Sequence, residues 1–121
     1  MKEEATRLAD PKQMLTMADL DAVLTQSTQR PVLVFKHSTT CPISAGAYRQ
    51  WQSFLAAPEA QQVDHAWVRV REERPVSLAL ADRVGVVHQS PQALLIKNGR
   101  AVWHDSHHAI TVGSLKAAVS R

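Results

Sequence analysis

The 121-residue chain contains one cysteine, Cys41, set in the octapeptide His37-Ser38-Thr39-Thr40-Cys41-Pro42-Ile43-Ser44. A thiolate is a nucleophile, and an unperturbed thiol with a pKa near ~8.5 is only slightly ionised at neutral pH. The octapeptide follows the most strand-like run of the chain, Pro31-Val-Leu-Val-Phe35, and opens a long segment of helical apolar spacing. Cys41 therefore falls at a strand-to-helix junction. The first turn of a helix supplies unpaired N–H donors and the positive end of the macrodipole, and both favour the anion. Such termini bring cysteine pKa values down to roughly 3.5–7.5. Thr39, Thr40 and Ser44 place hydroxyls within local reach, and His37 adds charge if it is protonated. The competing reading is a buried structural cysteine, the commoner fate of a free thiol. Against it, Cys41 lies between polar threonines and a proline, off the apolar stripe.

Other clusters carry weaker chemistry. His104, Asp105, His107 and His108 are metal-ligand types, but they lie together at a strand exit with no second partner motif, so a polar loop is expected. His37 and Cys41 are four apart, yet His37 precedes the helix, so that spacing does not make a metal pair. His88 either borders the thiol or is an ordinary loop histidine. Tyr48 and Trp51 read as helix surface and core, and Trp103 as strand packing.

These residues need elements to position them. Residues 1–12 are polar and expected to be loosely ordered. Gln13 to Met17 reads as a short first strand, and Asp19 as the start of a helix burying Leu20, Val23 and Leu24. Val32 to Lys36 suits a buried central strand. Ile43, Ala47, Trp51, Phe54 and Leu55 form one helical stripe, with Pro42 in its first turn and Pro58 beyond its end. Gly46 inside that helix costs about 1 kcal/mol against alanine, so a close approach is expected there. His65 to Arg71 alternates as a third strand, with Ala66, Val68 and Val70 on one face. Pro75 opens a helix over Val76 to Val84, closed by Gly85. Gln92 to Lys97, Asn98-Gly99 and Arg100 to His104 make a hairpin, and a final helix starts at Thr111 or Ser114. Strand, helix, strand, helix, strand, helix, hairpin and helix predict an α/β fold. Its centre would be a mixed β-sheet of about five strands with helices on both faces.

Composition narrows the function. The chain is 45% hydrophobic and 21% charged, ordinary for a globular domain, and long enough to bury a core without staples. Its formal charge of +3 is modest. Arg69, Arg71 and Arg74 cluster with Glu72 and Glu73 among them, which reads as a solvated face, so no nucleic-acid partner is expected. No run approaches the ~20 apolar residues of a membrane span, and Met1-Lys-Glu-Glu-Ala5 lacks the apolar core of a signal peptide. One cysteine gives no disulfide framework. A cytoplasmic location, where a free thiol persists, and a monomeric state are expected.

A cysteine heading the second helix just after a β-strand resembles the active-site segment of the thioredoxin superfamily. Val84-Gly-Val-Val-His-Gln-Ser-Pro-Gln-Ala-Leu-Leu-Ile-Lys-Asn-Gly99 is similar to the stretch that runs through the thioredoxin cis-proline into the last hairpin. More specifically, Phe35-Lys-His-Ser-Thr-Thr-Cys-Pro-Ile-Ser44, Ser90-Pro-Gln-Ala93 and Val102-Trp-His-Asp-Ser-His107 with Ile110-Thr111 resemble the monothiol bacilliredoxins. The resemblance implies a thioredoxin-like domain over residues 13–121. Cys41 would be its nucleophile, Thr40 and Pro42 would shape the approach, and Ser90 and Pro91 would receive the substrate. The second cysteine of Cys-x-x-Cys is replaced by Ser44, a hydroxyl neighbour at most, so an intramolecular dithiol cycle is excluded by count. The resemblance further implies no tightly bound cofactor, bacillithiol as co-substrate, S-thiolated proteins as partners, and bacillithiol or a partner redoxin as reductant. Two other classes stay open. One is a redox-sensing or adaptor protein whose cysteine is modified without efficient turnover. The other is a cluster-binding module like the monothiol glutaredoxins, from whose Cys-Gly-Phe-Ser motif Pro42 and Ile43 depart.

Overall fold

The computed structural model describes residues 10–120. Strand β1 (Lys12–Gln13) leads to helix α1 (Met17–Gln26), strand β2 (Val32–His37) and helix α2 (Pro42–Leu55). A short 3-10 turn at Pro58–Gln62 precedes β3 (Asp64–Arg69) and α3 (Arg74–Val84). The hairpin β4 (Gln92–Lys97) and β5 (Arg100–Ser106), a 3-10 turn at His107–Ala109, and α4 (Val112–Val119) complete the chain. The sheet order is β1-β3-β2-β4-β5, with β1, β3 and β2 parallel and the hairpin antiparallel to them. This is the expected five-stranded mixed sheet.

Two apolar cores lie on opposite faces of the sheet. Strand residues alternate between them, because successive side chains of a strand point to opposite faces. Val32 and Val34 join Leu20 and Val23 of α1 and Val76, Leu80 and Val84 of α3. Leu33 and Phe35 join Ala47, Trp51 and Phe54 of α2 and Leu115 and Val119 of α4. The central strand is thus covered on both sides, and its C-terminal end delivers the octapeptide.

Local chemistry accounts for the element ends. Thr16, not Asp19, caps α1: its hydroxyl accepts from Asp19 N, and the Asp19 carboxylate accepts from Thr16 N and Leu15 N. This capping box shortens β1 to two residues and puts Met17 in the helix. Residues 1–9 of the expected loose segment lie outside the described residues, and Lys12 is already in β1, opposite Ala66. Asn98 and Gly99 both adopt positive φ, as a two-residue hairpin turn requires, and their N–H groups bond Ser27 at the end of α1. The close approach expected at Gly46 is not found among the described residues, where an added Cβ would meet the Arg49 side chain at 3.9 Å. Thr111 caps α4 with Ser114 as its capping-box partner, so both candidate starts have a role. No helix among the described residues is long and apolar enough to cross a membrane.

Candidate active site

Cys41 is the N-cap of α2, with extended backbone (φ −105°, ψ 124°), and is half-buried. Its carbonyl accepts the first helical hydrogen bond from Ala45 N at 3.0 Å, and its N–H donates to Ser38 O at 3.3 Å. Pro42 follows as the first helical residue and is exposed. The thiol thus stands between the end of β2 and the first free N–H groups of α2.

Ser44 is fully buried, whereas Ile43, expected on the inner stripe, is 40% exposed. The exchange has a polar cause. Ser44 Oγ lies 2.8 Å from His37 Nδ1 and accepts from Ser38 N at 2.9 Å. With Ser38 N–H donating, the hydroxyl keeps its own proton and a second lone pair, so it can pair with Nδ1 in either tautomer of His37. Burial also holds the His37 imidazole below its ordinary range, against an opposing pull from Glu72. The ring stacks on Tyr48 at 4.6 Å and on Phe35 at 5.8 Å. His37 therefore braces the turn, and burial disfavours its charged form.

The hydroxyls of Thr39 and Thr40 are engaged outward. Thr39 Oγ1 donates to Glu72 at 3.2 Å, and Arg71 Nη1 donates to Thr40 Oγ1 at 3.2 Å. The charged run after β3 is largely the expected solvated face, with Arg71, Glu72 and Arg74 exposed, and two of its members also reach the octapeptide. Its buried member is Glu73, 5% exposed, which pairs with the Arg69 guanidinium and accepts from Arg69 N at 2.8 Å. That pair fixes the turn from β3 into α3. It thereby sets the position from which Arg71 and Glu72 reach the two threonines.

The second loop at this end of the sheet carries Ser90 and Pro91. The Ser90–Pro91 peptide bond is cis. The antiparallel register of β2 and β4 ends at Lys36 opposite Gln92, so Pro91 enters the sheet at the level of His37, where β2 gives way to the cysteine loop. Pro91 O accepts from His107 N at 3.1 Å. Ser90 Oγ is buried, and among the described residues neither it nor the Ser90 backbone makes a hydrogen bond. Gln92, 1% exposed, closes the loop on itself by donating to Val87 O and accepting from Gln89 N. His107, in a left-handed conformation, contributes through its backbone, and among the described residues no three His, Cys, Asp or Glu side chains converge on a metal-sized site.

Comparison with known proteins agrees with this geometry. Residues 12–115 match the family model described as monothiol bacilliredoxin BrxC. The chain belongs to the monothiol bacilliredoxin family. A solved structure described as a candidate oxidoreductase with a thioredoxin fold is 35% identical, with a TM-score of 0.78 over 92% of this chain and 94% of that one. The thioredoxin of Malassezia sympodialis is 17% identical, with a TM-score of 0.73 over 93% and 90% of the two chains. That of Trypanosoma brucei brucei is 13% identical, with a TM-score of 0.75 over 95% and 92%. The last two likenesses concern the fold alone. In this bacilliredoxin-family chain the thioredoxin-like fold places the loops of Cys41 and of Ser90–Pro91, which are far apart in sequence, at the same end of the adjacent strands β2 and β4. Ser44, expected as a hydroxyl neighbour at most, is the hub of the turn, and the burial of the Lys36 ammonium group against His88 escaped sequence reasoning.

Proposed function

We propose that this protein is a monothiol thiol-disulfide oxidoreductase that removes bacillithiol from S-bacillithiolated proteins through a mixed disulfide on Cys41. The observation that carries the reading is the pairing of a half-buried thiol at a helix N-cap with a buried serine at the resolving position. The Cys41 thiolate attacks the small-thiol sulfur of the protein's mixed disulfide. The S–S bond to the protein breaks, the protein cysteine leaves as a thiolate, and Cys41 holds the small thiol as a new disulfide. An external thiolate, from a second bacillithiol or a partner redoxin, then attacks that disulfide and frees Cys41. Two electrons enter with this second thiol, because Ser44 has no sulfur and its hydroxyl is engaged by His37 and Ser38.

The unengaged N–H and C=O of Ser90 next to the cis-proline suit an extended substrate segment, with Pro91 as the wall. Exposed Thr40 and Pro42 flank the thiol on the other side. A free thiol in service fits a reducing cytoplasm.

The test is release of a protein thiol from an S-bacillithiolated protein, with bacillithiol as reductant. The wild-type chain should release it, and Cys41→Ser should not. Release by Cys41→Ser would overturn the assignment. Modification of Cys41 without release would favour the sensing or adaptor class instead.

A further inference from the structure

Lys36 is fully buried, near the C-terminal end of β2. Lysine is almost never buried to this degree unless it is paired, because desolvating an ammonium group is costly. Among the described residues no carboxylate lies within ion-pair distance of it. Among those residues the one hydrogen-bond partner of its side chain is His88 Nδ1, at 3.0 Å. The ammonium can only donate, so His88 accepts through Nδ1 and carries its own proton on Nε2. His88 belongs to the loop between α3 and β4, two residues before Ser90.

The β2–β4 backbone pairing stops at Lys36 and Gln92. Past that rung, the loop holding the cis-proline is fastened in three ways. Gln92 ties it to itself, and His107 N–H holds Pro91 O from the end of β5. Lys36 alone, among the described residues, ties it by a side chain to the strand that leads into the Cys41 turn. A methionine would fill the same volume without the desolvation cost, so the ammonium group is explained by what it holds.

We infer that Lys36 and His88 form a positioning pair that sets the Ser90–Pro91 loop against the Cys41 turn, so that a mixed disulfide is received in line for attack. Neither residue touches the sulfur in this role. The inference rests on the proposed reaction for its catalytic consequence and on geometry alone for the clamp. His88 is the accessible half of the pair, being partly exposed, and Arg74 at the start of α3 is the other cation acting on it.

The experiment compares the full-length wild-type chain with Lys36→Met, His88→Leu and His88→Gln. The last retains a side-chain oxygen that can accept from Lys36. Amide hydrogen exchange is measured across residues 86–91. Rates of Cys41 with iodoacetamide and with a peptide disulfide-linked to bacillithiol are measured in parallel. Lys36→Met and His88→Leu should speed exchange in that loop about tenfold, the order of one charge-assisted hydrogen bond. They should slow attack on the peptide disulfide by a similar factor and leave alkylation within about twofold, while His88→Gln stays near wild type on all three. Unchanged loop exchange in both disabling variants would overturn the clamp, as would alkylation falling in parallel with disulfide attack. If the wild-type chain fails to attack the peptide disulfide, the proposed function fails, while loop exchange still decides whether the clamp exists. If Lys36→Met does not fold, His88→Leu against His88→Gln decides it.

Discussion

Ser44→Ala isolates the role of the residue that replaces the second cysteine. Ser44 is fully buried, and its hydroxyl serves His37 Nδ1 at 2.8 Å and Ser38 N at 2.9 Å. Truncation leaves Ser38 N–H and His37 Nδ1 without this partner in a partly buried turn. Orphaning buried polar groups of this kind costs about 1–3 kcal/mol. With a urea m-value of about 1–3 kcal/mol/M for a small domain, a loss of about 2 kcal/mol lowers the unfolding midpoint by about 1 M. Neither hydrogen bond goes to Cys41, so transfer of a small thiol to Cys41 should fall less than about threefold at a temperature where the variant is folded. Urea titration by circular dichroism and a transfer assay on the same sample check both halves. An unchanged midpoint would refute the bracing role. Lost transfer at unchanged stability would make the hydroxyl part of the chemistry.

Three further outcomes follow from buried charge. Burial lowers the Lys36 pKa from its ordinary 10.5 to about 8, so between those values the unfolded chain binds the extra proton and stability rises with pH. Urea midpoints measured between about pH 8 and about pH 10.5 should climb, and Lys36→Met should remove that rise. His37, His65 and His88 are each held below the ordinary histidine value, chiefly by burial. Below about pH 6.5 the unfolded chain therefore takes up protons first, and stability should fall as pH drops from there, seen as a lower midpoint at about pH 5.5 than at about pH 7.5. Glu73→Gln leaves the Arg69 guanidinium short of its counter-charge at the β3–α3 turn, and thermal unfolding should show a lower melting temperature.

Much of the scaffold was legible because its signals are local. The apolar run Val32 to Phe35, the Asn98-Gly99 turn and the Ala47, Trp51, Phe54 stripe each state their structure within a few residues. The errors came where a polar group took a position that hydropathy assigns elsewhere. Thr16 became a helix cap because Asp19 could reach back to its N–H, and that displaced a strand expected through Met17. Ser44 took the inner slot from Ile43 because His37 and Ser38 offered partners there. Glu73 is buried because Arg69 lies one turn before it, a pairing that a mixed run of charges conceals. Lys36 falls within the run expected to be a buried central strand, but the partner of its ammonium group, His88, is 52 residues away. Cys41 was placed at the helix start by its neighbours alone, whereas the level at which Pro91 enters the sheet beside His37 comes from the β2–β4 register.

The central claim, that one sulfur carries the exchange, is tested most directly by peptide-level mass spectrometry of the chain after reaction with an S-bacillithiolated protein and no added reductant. The account predicts one bacillithiol per chain, located on Cys41, in step with the protein thiol released. Thiol release with Cys41 unmodified, or a stable disulfide between Cys41 and the substrate protein in its place, would contradict it.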